Sequence, residues 1–245
     1  MQRWVHEQGW TTLHDAQERA IGPILDEHHD VIISAATAAG KTEAAFLPIC
    51  SALAHQRDVA RGAPTADPWE GHDPWAPPVP PPAPGIEVLY LSPLKALIND
   101  QYDRLDMICD RADVAVHRWH GDVAGSEKRK TVKHPSGVLL ITPESLEAQF
   151  VNRGNEIATM FAGLRYVVVD ELHSFLATPR GAQLQSLLNR IELAVRRRPP
   201  RIGLSATLGD MSAAKAFLRP TGPDNVLVIE STSDGQELKL QLRGY

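Results

Sequence analysis

Seven short apolar runs constrain this chain more than any other feature: Val31–Ile33, Ile86–Leu91, Val114–Val116, Val138–Ile141, Tyr166–Val169, Arg201–Leu204 and Val226–Ile229. Several are apolar at successive positions. A strand with one wet face would alternate, so these runs fit strands buried on both faces, the condition met in parallel sheets. Segments with helical spacing lie between them: Thr42–Ala54, Lys95–Ile108, Glu144–Phe150, Gln183–Val195 and Ser212–Leu218. The alternation predicts an α/β fold with a doubly wound, mainly parallel β-sheet flanked by helices. Such sheets bind ligands beyond the carboxyl ends of their strands. Polar motifs are therefore expected just after the runs.

One segment interrupts the pattern. Residues 62–85 hold nine prolines, and proline cannot donate to a sheet ladder. The segment reads as a loop or partly polyproline insertion rather than a second domain. It precedes a strand, so it should leave the edge opposite the ligands. Trp69 and Trp75 fit aromatics packed within a tolerated insertion, with partner docking as the alternative.

Bulk properties narrow the class. A hydrophobic share of 43% over 245 residues is enough for a real core. The formal charge of −5 excludes a polycation, so any nucleic-acid contact must use a local basic or amide-rich surface. Cys50 and Cys109 offer neither a disulfide framework nor metal spacing and read as buried thiols in a reducing compartment. The N-terminus has no secretory apolar core, and no stretch reaches the ~18 apolar residues of a membrane span. A soluble, cytoplasmic protein is expected.

Two motifs fall where the sheet rule asks. Residues 35–46 read AATAAGKTEAAF, between a strand and a helix. Small residues there let backbone amides approach phosphate oxygens, and the helix N-terminus favours negative charge. Lys41 can reach the β- and γ-phosphates and Thr42 can ligate magnesium. The opening glycine of the usual pattern is replaced by Ala35, and Ala38 stands where another glycine is common. The second motif is VVVDELH, residues 167–173. It sets Asp170 and Glu171 at a strand's carboxyl end, where one can hold magnesium and the other can position water. Either motif alone has a plain alternative, a chance tripeptide or a capping acidic pair. Together they point to a P-loop ATPase.

The combination resembles the superfamily 2 helicases of the DExH type, and within them the Lhr-like group. DELH is followed by Ser205-Ala206-Thr207. SPLKALIND (92–100), WHGD (119–122), ITPESL (141–146) and RGAQLQSLLNRIE after DELH carry the likeness over roughly residues 10–210. In that family alanine normally opens the phosphate loop, so Ala35 is a family habit. The resemblance implies a RecA-like fold, ATP and Mg2+ as cofactors, and roles for particular residues. Gln17 matches the adenine-reading glutamine. Thr37, Ala38, Ala39, Gly40, Lys41 and Thr42 match the phosphate loop. Asp170 and Glu171 match the magnesium and water-handling pair. His173, Ser205 and Thr207 match positions that couple hydrolysis to movement.

The same likeness implies a nucleic-acid face built from loops at strand ends: Ser92, Pro93, Leu94 and Lys95, then Gly121 and Asp122, then Thr142, Pro143, Glu144 and Ser145. Hydroxyls and amides there would grip sugar and phosphate, largely independent of sequence. Arg180 and Gly181 are read as a further backbone contact, or equally as a loop leading into a helix. Two basic clusters, Lys128/Arg129/Lys130/Lys133 and Arg196/Arg197/Arg198/Arg201, read first as solvated surface.

Family members pair two RecA-like domains around ATP. Residues 1–235 match the first, and 236–245 match the start of a connector to a second whose motifs are not seen. The expectation is an ATP-dependent helicase or translocase motor domain, DNA favoured, with weak nucleotide binding and little hydrolysis by this chain alone. The alternatives are an RNA helicase domain or a nucleotide-gated scaffold in a defence or repair complex. A P-loop kinase leaves the Ser-Ala-Thr and Thr-Pro-Glu motifs unexplained.

Overall fold

The computed structural model describes residues 12–35, 40–61, 83–206 and 208–231. Seven strands form one sheet: β1 (Asp30–Ser34), β2 (Val88–Leu91), β3 (Val116–Trp119), β4 (Val138–Ile141), β5 (Tyr166–Val169), β6 (Arg201–Ser205) and β7 (Val226–Glu230). Their order is β3-β4-β2-β5-β6-β1-β7, every pairing parallel. Seven α-helices accompany them among the described residues: α1 (Asp15–Leu25), α2 (Lys41–Ala60), α3 (Lys95–Asp110), α4 (Gly125–Lys133), α5 (Pro143–Met160), α6 (Pro179–Val195) and α7 (Met211–Leu218).

The strand period of two explains the two cores. Val31, Ile33, Val88, Tyr90, Val138, Leu140, Tyr166 and Val168 point to one face, where α1, α2 and α3 bury Ala20, Phe46, Ile49 and Leu105. Ile32, Leu89, Leu91, Leu139, Ile141, Val167 and Val169 point to the other, against Leu146 and Ile157 of α5 and Leu184 and Leu188 of α6. Burial on both sides is why the runs are continuously apolar.

The helices start where their caps allow. Thr142 accepts from the Ser145 amide at 3.3 Å with Pro143 in the first turn of α5, and Thr178 accepts from the Gly181 amide at 3.0 Å with Pro179 opening α6. Helix α5 runs ten residues beyond the expected Phe150 end, across a break at Arg153 (φ −141°, ψ 31°). The expected third strand at Val114–Val116 lies instead at Val116–Trp119. Among the described residues it is an edge strand paired only with β4, so His117 and Arg118 are tolerated there half-buried and the β-branched run misplaces it.

The proline-rich insertion returns at the amino edge of the sheet. Gly85 (φ +140°) packs on the Ala162–Gly163 turn, and the Ile86 amide donates to the Met160 carbonyl at 2.8 Å. Residues 62–82, with Trp69 and Trp75, lie outside the described residues, as do residues 232–245.

The second basic cluster needs correction. Arg201 is 2% exposed, not solvated. It opens β6, and its guanidinium meets Glu192 at 2.9 Å and the Leu218 carbonyl at 2.8 Å, while Arg219 clasps Asp30 at 2.6 and 2.7 Å. A strand-opening arginine in a charge run is indistinguishable by sequence from its solvated neighbours.

Candidate functional site: a nucleotide cleft beside a ring of strand-end loops

The motif-bearing loops leave the carboxyl edge of the sheet, as the sheet rule requires. Strand β6 lies between β1 and β5, so the loops after those three strands converge. Gly40 caps α2 with φ +68° and ψ 34°, a left-handed conformation that suits glycine. A Cβ there would come within 2.5 Å of Gln17 Nε2. Gln17 is 1% exposed on α1; its Oε1 accepts from the His14 amide at 3.0 Å and its Nε2 faces the Gly40 carbonyl at 3.5 Å. The loop and the upstream glutamine are thus built against each other.

Lys41 Nζ donates to the Ala35 carbonyl at 2.9 Å. Burial pushes its pKa below the ordinary lysine value, against the pull of Glu171 and Asp170. Thr42 is also buried in the first turn of α2. Asp170 is 6% exposed and accepts from the Tyr90 hydroxyl at 2.6 Å and the Glu171 amide at 2.9 Å. Burial raises its pKa above the usual carboxylate value even though the Tyr90 hydrogen bond works the other way. Burial and the Asp170 charge hold the Tyr90 phenol well above its ordinary pKa, so the hydroxyl stays a donor.

Glu171 sits at φ 47°, ψ 47°, a left-handed conformation uncommon for a non-glycine residue. Its Oε2 lies 3.3 Å from His173 Nδ1, which is 3.1 Å from Ser205 Oγ. Glu171, His173 and Ser205 therefore form one chain linking the ends of β5 and β6. Thr37, Ala38, Ala39 and Thr207 lie outside the described residues.

A cleft of about 400 Å³ joins these parts, lined by His14, Gln17, Gly40, Lys41, Asp170 and Glu171 together with Leu97, Gln101 and Arg104 of α3. The α3 wall and Tyr90 were missed in sequence. Leu97, Gln101 and Arg104 do share one helical face, a spacing that could have flagged them. Arg104 forms an ion pair with Glu43, tying α3 to α2. Tyr90 carries no signal, since an aromatic in an apolar run reads as core.

The second group of loops follows β2, β3 and β4. Leu94, Lys95, Gly121, Asp122 and Glu144 are exposed, Ser145 and Arg180 half-buried. Ser92, Pro93, Thr142, Pro143 and Gly181 are buried, and the Ser92 hydroxyl has no hydrogen-bond partner among the described residues. Lys95 Nζ lies 3.2 Å from both Asp122 oxygens, and Lys128 Nζ reaches the Gly121 carbonyl at 3.4 Å. Arg180 is bound to Glu144 and to the Pro93 carbonyl. Among the described residues no helix is long and apolar enough to cross a membrane.

Comparison with known proteins agrees with this layout. Residues 14–216 match the DEAD/DEAH box helicase family. The chain is 31% identical to the Lhr helicase/probable uracil glycosylase of Mycolicibacterium smegmatis, over 83% of its own length and 13% of that protein's. It is 31% identical to the ATP-dependent helicase Lhr-Core of Methanothermobacter thermautotrophicus, over 98% and 27%. It thus spans about a quarter or less of these relatives. The Mycobacterium smegmatis helicase Lhr bound to ssDNA and AMP-PNP superposes with a TM-score of 0.73 at 29% identity, covering 93% of this chain and 27% of that one. The DEAD-box helicase Mss116 bound to ssRNA and UDP-BeF shares the fold, with a TM-score of 0.71 at 19% identity over 93% and 42%. This RecA-like chain belongs to the DEAD/DEAH box helicase family.

Proposed function

We propose that this chain is the first motor domain of an Lhr-like, ATP-dependent superfamily 2 helicase or translocase. It binds ATP with magnesium in the cleft and a single strand of nucleic acid, DNA favoured, along the loops of β2, β3 and β4. The observation that carries the reading is the convergence of Lys41 with Asp170 and Glu171 on a cleft that Gln17 closes. The preference for DNA rests on the likeness to the ssDNA-bound Lhr.

The roles follow from chemistry. Thr37, Ala38, Ala39 and Gly40 supply the phosphate loop, and Lys41 neutralises phosphate charge. Gln17 reads the base by exchanging its His14 and Gly40 partners for an adenine edge. Among the described residues no cluster of three or more His, Cys, Asp or Glu could hold a metal alone. Magnesium suits such a site, since it keeps several waters and asks for one or two protein oxygens beside the phosphates. Thr42 and Asp170 are that pair. Bound ATP–magnesium supplies the scissile phosphoanhydride and charge neutralisation. Glu171 orients the attacking water, and His173, Ser205 and Thr207 relay the state of the cleft to the strand-end loops.

On the nucleic-acid face, the exposed Lys95 and Gly121, the half-buried Ser145 and backbone amides around Leu94 and Thr142 meet sugar and phosphate. Buried Ser92, Pro93 and Pro143 shape the loops, Asp122 orients Lys95, and Glu144, Arg180 and Gly181 brace the frame. Residues 1–235 form this domain and 236–245 lead toward a second motor domain. That partner would bring arginine fingers worth ~10³–10⁵ in rate, so this chain alone should hydrolyse ATP little. A cytoplasmic setting suits Cys50 and Cys109, buried free thiols with their sulfurs 3.5 Å apart.

Binding of a fluorescent ATP analogue to the 245-residue chain tests the reading. Lys41→Ala should abolish magnesium-dependent binding while leaving the melting transition in place. Equal binding by the variant would sink it.

A further inference from the structure

The loops after β2 and β4 are joined by a side chain that belongs to neither. Arg180, in the first turn of α6, donates from Nε to Glu144 Oε1 at 2.6 Å and from Nη2 to Glu144 Oε2 at 2.9 Å. The same Nη2 donates to the Pro93 carbonyl at 2.6 Å. The guanidinium carbon lies 5.6 Å from the centre of the Phe175 ring, and Gly181 leaves room for this turn because a Cβ there would strike the Phe175 carbonyl. Burial works to raise the Glu144 pKa, yet the Arg180 hydrogen bonds and charge, with the Glu144 amide and the Thr142 hydroxyl, together outweigh it and hold the carboxyl below its ordinary value.

This geometry matters for what Arg180 can offer a polyanion. Three of its five N–H donors are spent within the protein. Lys95 is also ion-paired, to Asp122, but both of those side chains are more than half exposed and hold no backbone group together, whereas Arg180 is one-third exposed and is tied to the Pro93 carbonyl as well as to Glu144, so it is not at liberty to turn to a phosphate. Breaking the pair to free the arginine would leave Glu144 facing the phosphate unpaired, beside a Pro93 carbonyl that has lost its donor.

We propose that Arg180 is a positioning residue of the nucleic-acid face, not a phosphate contact. It latches the Pro93 turn to the first turn of α5 so that the strand-end loops of β2 and β4 act as one preformed surface. The inference rests on the reading that this edge binds a single strand. It goes beyond that reading by separating the cation that bonds phosphate, Lys95, from the one that shapes the site.

Anisotropy titrations of a fluorescent oligodeoxythymidylate with the 245-residue chain, repeated across a salt series, distinguish the two roles. A lost phosphate contact on a single strand lowers the slope of log K against log salt by about 0.7. Lys95→Ala should lower it so. Arg180→Gln should weaken binding about tenfold at every salt concentration with the slope unchanged. Arg180→Lys keeps the charge but not the two-pronged clasp, and should behave like Arg180→Gln. Glu144→Gln should also weaken binding, although removing a negative charge from this face would tighten it if electrostatics alone decided. Thermal melts of each variant confirm folding. Rescue by Arg180→Lys, a slope lowered by Arg180→Gln, or tighter binding by Glu144→Gln would overturn the inference while leaving the functional reading intact. A wild-type chain that binds no oligonucleotide overturns that reading and the inference with it.

Discussion

Asp30 and Asp170 sit at opposite edges of one sheet and are nearly equally buried, at 8% and 6% exposure. Asp30, at the amino edge, is clasped by Arg219 and accepts the Arg201 amide at 2.7 Å, while both arginines share Glu192. Asp170, at the carboxyl edge, takes its hydrogen bonds from a tyrosine hydroxyl and a backbone amide. One edge buries charge against charge and closes. The other takes its hydrogen bonds from neutral dipoles, with the Lys41 charge a weaker attraction, which is how a site is kept ready for a cation and its phosphates. Burial of a carboxylate therefore does not distinguish structure from function; the identity of its partners does.

The largest expected effect on stability tests that contrast. Asp30→Ala removes the carboxylate that clasps buried Arg219 and leaves it only Glu192, already shared with Arg201, and should cost about 3 kcal/mol, seen as a large fall in melting temperature. Asp170→Asn should do the opposite of harm. Burial raises the Asp170 pKa in the folded chain, so its contribution to stability is complete below the unfolded carboxylate value and fades as pH rises through the folded one. Asparagine stays neutral over that window, so the variant should melt at the same or a higher temperature at neutral pH. A melting-temperature loss matching that of Asp30→Ala would erase the distinction between the edges.

Tyr90→Phe sharpens it by chemistry rather than stability. The phenol hydrogen bond lowers the Asp170 pKa against burial. Without it the carboxyl should protonate at higher pH, and the acid limb of ATP hydrolysis in the full-length protein should move up. An acid limb that stays put would show that Asp170 ionisation does not govern it.

The smallest effect should come from the exposed rim. Lys95 and Asp122 are paired with side chains 53% and 71% exposed. Asp122→Asn should change folding stability by less than about 1 kcal/mol, a difference that denaturant titrations at high salt should no longer detect.

Sequence was most legible where physics is periodic or motif-bound. Continuous apolar runs located the inner strands because burial on both faces leaves few polar positions, whereas β3, at one edge, carries His117 and Arg118 and slipped by two residues at its start; β7, at the other edge, kept an apolar run although Leu227 is exposed. Gly40, Lys41, Thr42, Asp170 and Glu171 were readable because phosphate chemistry demands those types after strands. Tyr90 and the α3 wall were not, because their place beside Asp170 and the cleft depends on which strand and helix lie alongside, information fixed by the β2–β5 register and not by local sequence. Arg201 was misread for the same reason: its partners Glu192 and Leu218 come from other elements. Ser92 matched its motif in type, and its burial at the turn after β2 was not legible in the sequence.

Nucleic-acid-stimulated ATP hydrolysis by the full-length protein, with single-stranded DNA and RNA run in parallel, tests the central claim most directly. The account predicts stimulation, greater with DNA, that disappears in Glu171→Gln while ATP binding persists. ATP binding with no stimulation by either polymer, or stimulation that survives Glu171→Gln, would contradict it.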